Sequence, residues 1–158
     1  MSHISKTLLL SAGLLSLLAL TACAGAAPAN VQQDALSQTL SPCPDSPNCV
    51  STKAPATDTE HFIEPIPFTG SAADARQKLL AVIAAMPRNE VVTNEDTYIH
   101  ATFASLIFRF VDDVQFVIDD AAKTIHFRSA SRMGRSDMGV NRKRMEEIRT
   151  NFTQAAVP

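Results

Sequence analysis

Between Glu90 and Arg128 the apolar residues recur at every second position, and that spacing constrains the fold more than any other feature of the chain. Successive side chains of a strand point to opposite faces, so a period of two marks strands with one buried face. Glu90–Thr93 is a short strand, and Asn94–Asp96 is a turn. In the next run Ile99, Ala101 and Phe103 share one side, while Tyr98, His100 and Thr102 share the other. Leu106–Val111 is strongly apolar, with Arg109 embedded in it, and is expected to continue the sheet. Val114, Phe116 and Ile118 alternate with Gln115, Val117 and Asp119, and Asp119–Lys123 turns a hairpin into a strand carrying Ile125 and Phe127.

The period differs on either side of this region. Ser71 and Asp74 form a capping-box pattern ahead of Ala72, Ala75, Leu79, Val82, Ile83 and Met86 at helical spacing, and Pro87 ends that helix. A last helix starts near Asp137, a suitable N-cap, with Met138, Met145, Ile148 and Phe152 on its apolar side. Its polar face carries Arg142, Glu146 and Arg149. Glu60–Phe68 alternates around Pro65 and Pro67, which confine it to a sheet edge. The expected fold is α+β: a single antiparallel sheet with two helices packed on one face, in the order strand, helix, several strands, helix.

The beginning of the chain follows a different logic. Lys6 precedes an apolar run, Leu8–Leu20, of about 13 residues, which is shorter than the roughly 20 needed to span a bilayer. Leu20-Thr21-Ala22-Cys23 resembles the cleavage motif of bacterial lipoproteins. Residues 1–22 are therefore expected to be a lipoprotein signal peptide, with Cys23 acylated by chains such as palmitate. The expected location is the cell envelope, facing the periplasm and held to the membrane by lipid. Ala24 stands where an aspartate would favour inner-membrane retention, which points to the outer membrane. Removal of the signal leaves 136 of the 158 residues. Residues 23–40 are poor in large apolar groups and are expected to be a flexible tether, leaving residues 41–158 as one domain.

Cys43 and Cys49 close the segment C-P-D-S-P-N-C. An even pair in an oxidising compartment predicts a disulfide; the alternative, a metal site, lacks a nearby histidine. His61, His100 and His126 likewise show no metal-ligand spacing, so no metal or cofactor is expected.

Charge is segregated along the chain. Residues 23–127 hold 6 basic and 13 acidic residues, and residues 128–158 hold 7 basic and 3 acidic. Within the second part, Arg128–Arg144 (R-S-A-S-R-M-G-R-S-D-M-G-V-N-R-K-R) has six basic residues and one acid, Asp137. A nucleic-acid role does not suit an exported chain that is acidic overall. Two readings of this stretch remain open. Arg128, Arg132, Arg135, Arg142 and Arg144, with Ser129, Ser131, Asp137 and Asn141, have the ingredients of an anion site: planar guanidinium forks beside a helix N-terminus. Alternatively Asp112 and Asp113, in F-V-D-D-V, answer the arginines in a structural ion-pair clasp. A clasp can also orient the arginines it leaves over.

Three functions follow from these readings. The first is a non-enzymatic module that binds an anionic lipid head group, a cell-wall carboxylate or an acidic protein surface. The second is a hydrolase-type enzyme using Asp112 or Asp113 on an arginine-bound anionic substrate. Neighbours on a strand face opposite ways, however, and Ser129 and His126 are likewise on opposite sides. The third is a structural accessory subunit of an envelope complex. No catalytic residue is assigned.

The motifs C-P-D-S-P-N-C-V-S, F-V-D-D-V-Q-F and the Arg128–Arg144 stretch resemble, in order and over Cys43 to about Phe152, the bacterial and plastid proteins of domain of unknown function family 1499. The matching positions are Cys43, Pro44, Ser46, Pro47, Asn48, Cys49, Asp112, Asp113, Arg128, Ser129, Ser131, Arg132, Gly134, Asp137, Gly139, Asn141, Arg142 and Arg144. The resemblance implies a small exported or lumenal domain, often a lipoprotein. It implies no assigned activity.

Overall fold

Nine elements are present in the computed structural model, which describes residues 25–155. They are α1 (Ala29–Ser37), β1 (Cys49–Ser51), β2 (Ile66–Pro67), α2 (Ala72–Ala85), β3 (Asn89–Asn94), β4 (Tyr98–Ala104), β5 (Val111–Asp119), β6 (Thr124–Ser131) and α3 (Val140–Gln154). The six strands form one sheet in the order β1-β6-β5-β4-β3, with β2 also on β6, and every strand pairing is antiparallel. The class is α+β.

Register converts the two-residue period into two faces. Ile99, Phe116 and Phe127 lie side by side across β4, β5 and β6, as do Ala101, Val114 and Ser129. All of these but Ser129 are apolar and form one buried cluster with Leu79, Val82 and Ile83 of α2 and with Met145, Ile148 and Phe152 of α3. Local chemistry starts α2 where the sequence predicts: Ser71 Oγ accepts from the Asp74 amide at 3.1 Å. The opposite face carries His100, Gln115 and Arg128 in one cross-strand row, and Thr102, Asp113 and Ala130 in the next.

Four expectations are corrected. Residues 29–37, expected within a tether, form α1, whose Val31 and Asp34 are only 2% and 3% exposed. Apolar content is low here because the helix is fastened by a carboxylate. Asp34 accepts from the Ser41 amide and hydroxyl (2.9 and 2.8 Å) and from Gln115 Nε2 (2.9 Å). Leu106–Phe110 is not strand: β4 and β5 pair up to Ala104 and Val111, so residues 105–110 are the connection between them. Residues 60–68 contribute β2 and one isolated parallel bridge, Phe62 to Ser51, since Pro65 and Pro67 remove the amides a longer ladder needs, and Cys49–Ser51 supplies the other short edge segment beside β2 on β6. The last helix begins at Val140 rather than near Asp137, and Met138, expected on its apolar side, is 97% exposed at positive φ.

Candidate functional site

The basic stretch divides between the two faces of the sheet. Asp112 stands beside Phe103 and Ser131 on the core side, and Asp113 stands beside Thr102 and Ala130 on the other. The two carboxylates therefore organise separate clusters.

On the core side the hub is Asn141, fully buried at the start of α3. Its Nδ2 donates to Asn48 O (3.1 Å), Ser131 Oγ (3.0 Å) and Asp137 Oδ2 (2.8 Å), and its Oδ1 accepts from Ser129 Oγ and Arg144 Nη1. Asp137 also accepts from the amides of Gly139 (3.0 Å) and Asn141 (2.7 Å), so its side chain covers the free N–H groups of the helix entry. Arg144 Nη2 donates to Asp112 Oδ2 at 2.6 Å, and its guanidinium lies 4.9 Å from the Phe103 ring centre. Arg142 Nη2 donates to the carbonyls of Glu60 and Phe62 at 3.0 and 2.9 Å. The disulfide loop joins the same network. Cys43 and Cys49 are bonded, and Asn48 Nδ2 donates to Gly134 O at 2.6 Å. Gly134 makes this turn at φ 84°, a conformation that favours glycine.

On the other face Asp113 is held from two sides. Arg132 Nε and Nη2 each donate to it at 2.8 Å, and His100 Nε2 donates at 2.7 Å. Burial alone would raise the Asp113 carboxyl; the Arg132 and His100 hydrogen bonds outweigh it and hold the group below its ordinary value. Arg132 is raised in return by Asp113. Gln115 links the next residues: Nε2 donates to Asp34 and to Tyr98 Oη (both 2.9 Å), and Oε1 accepts from Arg128 Nη1 at 3.3 Å. Burial pushes the Tyr98 hydroxyl up to about 12.

Arg128 differs from the other arginines of the stretch. It is 5% exposed, and its Nε has no hydrogen-bond partner among the described residues. Burial lowers its pKa, with Asp34 and Asp113 opposing that shift. Arg128 lines a cavity of about 420 Å³ with Arg132, Asp113, Pro28 and Val31 from the α1 end, and Ser41–Pro44 from the disulfide loop. The guanidinium makes one hydrogen bond among the described residues, to Gln115, and stands beside this cavity with its Nε sealed from solvent, so the group as a whole suits a carboxylate or phosphate oxygen.

The structure thus brings Asp112, Ser129, Ser131, Asp137, Asn141 and Arg144 together on one face, with Asp113, Arg128 and Arg132 on the other. Arg142 reaches the 60–62 segment, and Arg135 is exposed. Ser129 is buried against Asn141, on the face opposite His126. No group of three or more His, Cys, Asp or Glu suited to a metal occurs among the described residues. Cys23, the expected lipid site, lies outside the described residues. Sequence reasoning missed Asp34, Tyr98, His100 and Gln115. One signal was available: Asp34 is the sole charged residue between positions 24 and 40.

A search of curated proteins and of solved structures finds no match. The family model described as "Protein of unknown function (DUF1499)" matches residues 39–152, which contain the disulfide loop, the whole sheet and nearly all of α3. The chain is a member of the DUF1499 family.

Proposed function

We propose that this protein is a non-enzymatic, lipid-anchored module of the cell envelope that binds a carboxylate or phosphate group at Arg128. The observation that carries the reading is the buried Arg128 guanidinium, with Gln115 as its one hydrogen-bond partner among the described residues, lining the cavity between α1, the disulfide loop and the sheet. The site is narrower than the Arg128–Arg144 stretch as a whole. Arg132, Arg142 and Arg144 already donate to Asp113, to backbone carbonyls and to Asp112. A neighbouring Asp113 sets a limit on the ligand: a group of low charge is favoured over a multiply charged one. The hydrolase alternative is disfavoured by Asp112 and Asp113 facing opposite ways, each in an ion pair. The anchor is acylated Cys23 and the compartment is the periplasmic side of the outer membrane.

Thermal unfolding with rising inorganic phosphate or acetate, at constant ionic strength, tests the site. The parent is expected to gain stability saturably as the anion fills the cavity. Arg128→Lys keeps the charge and removes the fork, so its gain should vanish. An equal gain in Arg128→Lys and the parent would place the binding elsewhere. Cys23→Ser should release the protein from membranes, and retention of a lipid-labelled form would overturn the anchor.

A further inference from the structure

We infer that the β4–β5 connection is a membrane contact, an apolar tip that enters the head-group layer of an anionic bilayer beside the lipid-bearing end of the chain. Its composition is the first reason. Surface turns are ordinarily made of Gly, Pro, Asn, Asp and Ser, whereas this one is Ser-Leu-Ile-Phe-Arg-Phe. Leu106, Ile107 and Phe108 are at least 70% exposed and Phe110 is 52% exposed, with the rings of Phe108 and Phe110 stacked 5.6 Å apart. The tip is built rather than loose. The Ser105 amide donates to Phe110 O (2.8 Å), and the Phe110 amide donates to Ser105 Oγ (2.9 Å). Exposed Met133 follows the segment that pairs with this end of β5, where the Arg132 amide donates to Val111 O. A contiguous exposed apolar patch of this kind marks an interaction surface.

The second reason is charge. A hollow of about 600 Å³ next to the tip is lined by Arg88, Arg109 and Arg132, with Glu90 as its one acid. Apolar side chains rimmed by arginines match acyl chains beneath anionic phosphates. At the far end of β5 the β5–β6 turn holds Asp119 and Asp120, with Lys123 paired to Asp120, so no cluster of arginines among the described residues faces away from the tip there.

The third reason is where the chain enters. Gly25, Ala26 and Ala27 line that same hollow, and Arg132 Nη1 donates to Gly25 O. Cys23 is two residues earlier, within about 7 Å of extended chain. The closeness of a lipid to this hollow rests on the proposed acylation of Cys23. A lipid there draws this end of the sheet onto the bilayer, and α1, fastened through Asp34, gives the domain no slack to stand away.

The chain has no tryptophan, so Phe108→Trp creates a single reporter at the tip and Ala121→Trp one in the exposed opposite turn. Both are placed in the lipid-anchored protein on phosphatidylethanolamine vesicles containing phosphatidylglycerol. Phe108→Trp emission should shift to the blue and be quenched by brominated acyl chains, and Ala121→Trp emission should not. Unshifted, unquenched emission at position 108 overturns the proposal. Vesicle binding of the Cys23→Ser chain cleaved before residue 23 reads the tip without any lipid, so a failure of the anchor and a failure of the tip are separable. There Phe108→Ser should weaken binding about tenfold, the loss of one buried aromatic side chain. Equal binding overturns the proposal, as does a dimer formed in the absence of lipid that Phe108→Ser abolishes, which would assign the tip to a second copy of the chain.

Discussion

Arg132 and Asp113 form a two-pronged ion pair, with Nε and Nη2 each 2.8 Å from a different carboxylate oxygen, on the sheet face opposite Asp112. With His100 on its Oδ1, Asp113 has cationic or N–H partners on both oxygens at almost no solvent exposure. Removing the carboxylate leaves a partly buried guanidinium without its partner. Asp113→Ala is expected to cost about 3–5 kcal/mol, the range for breaking a buried pair from one side. Chemical denaturation measures it. An Asp113→Ala, Arg132→Ala double variant no worse than Asp113→Ala alone would locate the cost in the stranded charge.

The same pair predicts an acid limb. The folded pKa of Asp113 lies below its unfolded value, so its contribution is present above the ordinary carboxylate range and is lost as pH falls through the folded value. His61 has the opposite sign. Its Nδ1 faces Asp58 Oδ2 (2.8 Å) and its Nε2 faces Ser46 O (3.2 Å), two acceptors that favour the doubly protonated ring. Burial lowers its pKa, but the Asp58 and Ser46 contacts prevail and raise it. Its contribution is full below about pH 6.5 and is lost as pH rises through the folded value. Unfolding free energy measured against pH should lose its decline above about pH 6.5 in His61→Gln, leaving the opposite-signed slope of His126, and have a shallower acid limb in Asp113→Asn.

Asn141 connects four segments through one amide group: β6 through Ser129 and Ser131, the disulfide loop through Asn48, the helix entry through Asp137, and α3 through Arg144. Asn141→Ala leaves several buried donors and acceptors unpaired, at about 1–3 kcal/mol for an unsatisfied group. Asn141→Asp places a second carboxylate against Asp137 Oδ2 and should be the worse of the two. The order of the denaturant midpoints checks this.

Asp34 is the fastening of α1. In the parent, hydrogen exchange should show protected amides within residues 33–37, and Asp34→Ala should remove that protection while α3 stays protected. Unprotected parent amides there would mean that α1 is not held. The local loss is about 1–3 kcal/mol, because Gln115 Nε2 and the Ser41 amide lose an acceptor together.

Reduction of Cys43–Cys49 opens a short loop with a sequence separation of 6, so chain entropy predicts a loss of about 2 kcal/mol. Asn48, between the cysteines, is tied to Gly134 and Asn141. Reduction should therefore broaden NMR signals of residues 132–141 as well as those of the loop itself.

Features with a local cause could be read from the residues. Side-chain alternation is a property of each strand alone, so Val114, Phe116 and Ile118 announce the buried face before any partner is known, and Asp112 and Asp113 are already separated. The start of α2 is equally local, because Ser71 and Asp74 are three residues apart. The tertiary structure alone decided the pairings. Arg132 meets Asp113 across 19 positions, Arg144 meets Asp112 across 32, and Gln115 meets Asp34 across 81. No period or propensity encodes such contacts, because they exist only once β4, β5 and β6 stand in register. The same register left Leu106–Phe110 beyond the last paired residues and turned an apparent strand into an exposed tip. It also buried Arg128 beneath α1 and the disulfide loop while leaving Arg135 exposed, a division of the basic stretch that no local pattern encodes.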